Sequence, residues 1–199
     1  MYLRPAFNET NLDKILALVA DNPFGLLVTH GPSGLDASHV PFTVERDGDT
    51  LVLAAHLARA NPQCAMIDAR AEALAIFSGP HAYIAPGWYE TQPAVPTWDY
   101  AAVHIHGVLE PLEDPAAEAK MLHDLAHHDP LGFNHDKLDA DYRAMMLRGI
   151  RPFRLRGIRI EAQWKMSQNR SAADRIAVAA ALKAEGNQAV ADLITETIG

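Results

Sequence analysis

His39-Val-Pro-Phe-Thr-Val-Glu45 and Thr50-Leu-Val-Leu-Ala-Ala55, separated by Arg46-Asp47-Gly48-Asp49, decide how this chain is to be read. Both runs are short and β-like. Asp-Gly between two such runs is a strong hairpin signal, because the glycine takes the positive φ that a tight turn requires. Upstream, residues 24–30 form another apolar run that ends in a Gly-Pro-Ser-Gly turn at 31–34. Before it, Leu12, Ile15, Leu16 and Val19 fall on one face of a helix over 8–22, which Asn22-Pro23 stops.

Downstream, residues 61–68 read as a short helix and 73–77 as a strand. Residues 79–97 are rich in Pro, Gly and aromatics and read as an ordered loop with a short strand at Tyr83-Ile84. A strand over 102–112 puts Val103, Ile105 and Gly107 on one face and His104, His106 and Val108 on the other. Helices follow at 115–128 and 139–148, and Phe153, Leu155, Ile158 and Ile160 mark a strand over 153–164. Ser171 with Asp174 three residues on has a capping-box pattern opening a helix, and a last helix spans 187–197. Strands at short spacing with turn links predict an α+β fold: a small antiparallel barrel decorated by helices, not a doubly wound parallel sheet. We expect a single domain over 1–199 with a C-terminal helical extension from about 171, packed on the barrel or on a partner subunit.

A chain of 199 residues, 49% hydrophobic, buries enough surface to fold without disulfides or structural metals. Cys64 is the only cysteine, which excludes an intrachain disulfide and fits a reducing, cytoplasmic setting. No apolar run approaches the roughly 18 residues of a membrane span. With 17 basic against 25 acidic side chains the net charge is −8, which opposes non-specific contact with nucleic acid or anionic membranes. G-x-G-x-x-G, P-loop and G-x-S-x-G patterns are absent, which argues against a Rossmann site, a P-loop and a hydrolase nucleophile.

Directly after the Thr50–Ala55 run stands His56-Leu-Ala-Arg59-Ala-Asn61-Pro62. Asn61 suits an N-cap and Pro62 the first helical position, so a helix start with free N–H groups is expected there. Such a terminus favours an anion, and Arg59 adds a fork matched to phosphate oxygens. Two readings stay open: a phosphate cradle, or an ordinary capped helix with a solvated arginine. Lys165-Met-Ser-Gln-Asn-Arg170 repeats the pattern, and Gln168 and Asn169 offer the paired donors and acceptors that suit the edge of a pyrimidine-like ring. Trp98 and Tyr100, with Trp88 and Tyr89, can make a shelf for a flat ring or for a partner subunit. His123 and His127 have the i, i+4 spacing of a metal-binding helix. Asp124 stands where a metalloprotease has Glu and no third ligand is defined, so a solvated helix end is the simpler account and no metal is expected.

The segments Met1-Tyr-x-x-Pro-x-Phe7, Ser38-His39-Val40-Pro41-Phe42, His56–Gln63, Gly79-Pro-His81-Ala-Tyr83-Ile, Val95-Pro-Thr-Trp98-Asp-Tyr100 and Lys165–Arg170 resemble, in order, the PaiB family of FMN-binding negative transcriptional regulators. The departures are Asp99 where Asn is usual, Met166 where Leu is common, and Ala162-Gln163 where a Gly is expected. The resemblance implies a split β-barrel like that of the pyridoxamine-phosphate-oxidase-like flavoproteins, working as a homodimer with FMN at the subunit interface. It places Arg59 beside the phosphate, Ser38, His39, Val40 and Pro41 along the ring, and Trp98 and Tyr100 of the second subunit near it. His56, Asn61, Lys165, Gln168, Asn169 and Arg170 complete the expected cofactor set.

Three functions follow from this reading. The first is an FMN-binding protein with oxidoreductase chemistry supplied by the flavin and no catalytic residue assigned. The second is a transcriptional repressor. A net charge of −8, no evident helix-turn-helix and no Arg/Lys stripe disfavour direct duplex contact and favour an indirect route through metabolism or a partner. The third is a haem-binding split barrel with His104 or His106 as axial ligand.

Overall fold

The hairpin forms where Asp47-Gly48 predicts it. Strand β3 (Thr43–Asp47) pairs with β4 (Thr50–Ala58) in the register Asp47↔Thr50 to Thr43↔Ala54, and Gly48 sits at φ +62°. Its first arm is shorter than the sequence suggests. Residues 39–41 instead end β2 (Gly34–Pro41), which pairs antiparallel with β1 (Phe24–Gly31) from Phe24↔Pro41 to Gly31↔Gly34. The break falls at Phe42. Its N–H turns to the Pro23 carbonyl at 2.9 Å, and its ring packs edge-on against Phe77 and Phe153 at 5.4 and 6.2 Å.

The computed structural model describes residues 1–198. Three more strands, β5 (Glu72–Ile84), β6 (Thr97–Pro111) and β7 (Ile150–Lys165), complete a seven-stranded sheet in the order β2-β1-β5-β6-β7-β4-β3. The α+β split-barrel class expected from the sequence is borne out. All three strands exceed their expected lengths. In β5 the polar and small residues 78–81 hide a strand whose buried positions run from Ala73 to Ile84. In β6 the strand opens at Thr97, five residues before the apolar alternation becomes visible.

Among the described residues there are six α-helices: α1 (Leu12–Asp21), α2 (Cys64–Asp68), α3 (Pro115–Ala126), α4 (Ala140–Arg148), α5 (Ala172–Ala184) and α6 (Gln188–Glu196). The chain forms two compact units. One comprises Leu12–Phe77 with His104–Ile160; the other comprises Met1–Asn11, Ser78–Val103 and the chain from Glu161 on. The first unit buries Leu27, Phe42, Leu53, Phe77, Phe153 and Leu155, with Ile15, Leu18 and Val19 of α1. Each such side chain contributes about 1.5–3 kcal/mol relative to exposure. The second unit buries Val178, Leu182, Val190 and Ile194 of α5 and α6.

Ser171 caps α5, accepting the Asp174 N–H at 3.1 Å. The Asp174 carboxylate accepts from the Thr91 N–H at 2.8 Å, tying the aromatic-rich loop to α5.

Candidate functional site

In the first unit, the turn after β4 is held by a buried glutamine. Gln63 donates through Nε2 to Thr29 Oγ1 at 2.9 Å and to the Asp36 carbonyl at 3.3 Å, and its Oε1 accepts from the Ser38 hydroxyl. Asn61 joins this network. Its Nδ2 donates to Ser38 Oγ at 3.0 Å while its Oδ1 accepts the Gln63 N–H at 2.9 Å. The turn at 58–63 is thereby fastened to β1 and β2, and Ser38, Asn61 and Gln63 act as one polar unit.

The helix start differs from the expectation. Asn61 makes a local Asx turn rather than an N-cap, and α2 begins only at Cys64 after Gln63 in the helical region. With five residues, α2 is too short to present an anion-binding terminus. What remains of the cradle is the arginine and the turn. Arg59 is exposed; its backbone N–H donates to the Gly149 carbonyl at 2.8 Å and its Nε to the Arg148 carbonyl at 2.9 Å. One of five guanidinium N–H groups is thus committed, which fixes the side chain and leaves four donors for a ligand. Arg148, at the end of α4, is exposed and has no ion pair among the described residues. Nothing in the sequence spacing brings residue 148 beside residue 59; the link is a backbone carbonyl, which side-chain type does not reveal. The uncommitted donors of the Arg59 guanidinium carry the charge and the fork that suit a phosphate.

The other residues of this unit are placed as follows. His39 is exposed and stacks on Phe24 at 5.8 Å, and Val40 is buried. His56 lies half-buried on β4 with Nδ1 lacking a hydrogen-bond partner, and burial lowers its pKa below the usual histidine value. His104 and His106 are half-buried on β6. His123 and His127 meet edge to face at 4.8 Å, with His127 Nδ1 at 3.1 Å from the His123 carbonyl.

In the second unit, the centre is Asp99, fully buried on β6. Its Oδ1 accepts from Lys165 Nζ at 3.0 Å and its Oδ2 from the Ser167 hydroxyl at 2.6 Å. Lys165 also donates to Thr97 Oγ1 at 2.8 Å and to the Trp98 carbonyl, so its three N–H groups are spent inside the protein. Gln168 is likewise committed: its Oε1 accepts the Met166 N–H at 2.7 Å and its Nε2 donates to the Trp164 carbonyl at 2.6 Å. This side-chain bridge closes the turn around Ser167, which sits at φ +57°. Arg170 lies over the Tyr89 ring at 4.3 Å, Asn169 is exposed, and Trp98 is 55% exposed with the Tyr83 ring edge-on at 5.9 Å. Tyr100 receives a hydrogen bond from Gln163 Nε2 at 2.5 Å.

The family described as "Putative FMN-binding domain" matches residues 1–159. The chain belongs to this family. FMN is therefore its cofactor, and the PaiB resemblance is borne out. Over 190 residues the chain is 36% identical to the "protease synthase and sporulation protein PAI 2" of Bacillus subtilis, covering 94% of this chain and 91% of that one. The matched family span includes Ser38, Arg59, Asn61, Trp98 and Tyr100 and stops short of Lys165–Arg170. Among solved structures, a conserved hypothetical protein of Mycobacterium tuberculosis superposes with a TM-score of 0.62 at 12% identity, covering 86% of this chain and 94% of that chain. An FAD and heme binding protein of Mycobacterium smegmatis gives 0.59 at 12% identity, covering 79% and 73%. Both are similar in fold.

Proposed function

We propose that the chain binds FMN with the phosphate at Arg59, in a homodimer in which Trp98 and Tyr100 of the partner subunit approach the ring. Ser38, His39, Val40, His56 and Asn61 belong to the same site. The two units serve as one FMN-binding domain with α5 and α6 as its C-terminal extension, and the protein works in the cytoplasm. The observation that carries the reading is Arg59 itself, held at Nε by the Arg148 carbonyl with the rest of its guanidinium uncommitted, beside a turn that Gln63 makes rigid. Lys165 and Gln168, whose polar groups are spent on their own unit, shape that unit rather than hold the phosphate. Bound FMN supplies hydride and electron transfer, and the protein's part is to bind and orient it. The function is that of a flavin-dependent oxidoreductase, with any effect on transcription exerted indirectly.

The absorption spectrum of the purified protein with added FMN tests this. A bound-flavin spectrum is the expected result. A Soret band would point to haem instead, and a protein that takes up no FMN would sink the proposal. Within it, Arg59→Ala removes a charge-assisted contact worth about 1.5–3 kcal/mol, so FMN affinity falls roughly tenfold to a hundredfold. Unchanged affinity in the variant places the phosphate elsewhere.

A further inference from the structure

The second unit carries an open cleft of about 460 Å³ between its N-terminal segment, the start of β6 and the end of β7. That is within the range of about 300–1,000 Å³ usual for small-molecule sites. Three features define what it suits. Two aromatic rings stand bare at it, Tyr2 at 79% and Trp98 at 55% exposure. No acidic side chain lines it. Of its two basic side chains, Lys165 is spent on Asp99, Thr97 and the Trp98 carbonyl, whereas Arg4 is exposed and makes no ion pair among the described residues.

A fourth feature points independently to a ligand. Gln163 lines the cleft and is only 5% exposed; its Nε2 donates to the Tyr100 hydroxyl, and its Oε1 has no hydrogen-bond partner. Turning the amide over exchanges which atom is left unsatisfied without satisfying both. A buried amide short of a partner is unfavourable until something supplies one. Lys165, through the Trp98 carbonyl, and Tyr83, edge-on to the indole, hold Trp98 in place, so its open face is already presented.

We propose that this cleft binds a small planar aromatic anion that stacks on Trp98, places its carboxylate on Arg4 and hydrogen-bonds at the Gln163–Tyr100 pair. The inference rests on the flavin reading in one respect. Trp98 and Tyr100 are the residues taken there to approach the ring from the partner subunit, so the anion would lie beside the flavin as a second ligand.

The probe is 4-hydroxybenzoate, titrated calorimetrically and by tryptophan fluorescence into the full-length protein with and without FMN. Cyclohexanecarboxylate, charged but not planar, and phenol, planar but uncharged, are the controls. Saturable binding at least about tenfold tighter than either control is expected, as is a loss of roughly tenfold in Arg4→Ala. Arg4 is exposed, so the variant keeps its fold; Gln163→Leu, checked by its melting temperature, loses affinity for the probe and keeps it for FMN. FMN binding without probe binding overturns the cleft proposal and leaves the flavin reading standing. Probe binding without FMN binding does the reverse. Displacement of the probe by FMN, or unaltered affinity in Arg4→Ala, also overturns the proposal.

Discussion

Two residues carry predictions of their own. Asp99 is a buried carboxylate whose two oxygens serve Lys165 and Ser167. Removing one partner of such a pair leaves the other uncompensated, which is strongly unfavourable, whereas an isostere that still hydrogen-bonds keeps most of the geometry. Asp99→Ala should therefore destabilise the fold by about 3 kcal/mol. Asp99→Asn, the residue usual in the PaiB family, should fall well short of that in the same urea titration, because its amide can accept from Lys165 and donate to the Ser167 oxygen. Equal losses would mean that the charge itself is what matters. His56 is the second case. Burial lowers its folded pKa below the ordinary 6.5, so the folded state binds fewer protons than the unfolded one as that value is approached from above. Stability then rises with pH between the folded value and about 6.5, and is lost as pH falls through that window. Melting curves of wild type and His56→Asn should diverge in the variant's favour as pH drops from 7 toward 5. Parallel curves would remove His56 from the acid sensitivity of the fold.

Elements show how far sequence pattern reached. At Gly107 on β6, an added Cβ would stand 2.3 Å from the Arg156 carbonyl oxygen and 2.6 Å from Leu155 Cδ2. Backbone cannot yield as a flexible side chain can, so Gly107→Ala should destabilise by about 1–3 kcal/mol or more by chemical denaturation. A neutral result would mean that β6 and β7 can part locally. Gly107 was legible only as one position on an apolar face, because its meaning lies in β7, some fifty residues away. The Asp47-Gly48 hairpin was legible because a turn is local. The first half of β6 was not, since Thr97, Asp99 and Lys165 look polar until the structure shows them satisfying one another. In the same way Asn61-Pro62 carried a helix-start signal, yet the buried Gln63 drew Asn61 into the Ser38 network and the helix began later. Long-range hydrogen bonds overrode local propensity in both places.

At the scale of the molecule, charge bears on the proposal that any effect on transcription is indirect. A net charge of −8 per chain already opposes a polyanion. At least seven of the 17 basic side chains, Arg46, Lys120, Arg143, Arg151, Arg156, Lys165 and Lys183, stand in ion pairs with carboxylates of the same chain. Duplex binding draws its affinity from basic groups that displace counterions, and a paired group must first lose its carboxylate. In the proposed homodimer, which light scattering would report at twice 21.7 kDa, the net charge doubles and the repulsion grows with it. The dimer should therefore give no gel shift with duplex DNA at physiological ionic strength, whether FMN is added or not. Retention that appears only at low salt would be the weak non-specific attraction of a few exposed arginines. A shift that survives physiological salt and discriminates between sequences would require a local basic surface working against the net charge. It would return direct repression to first place.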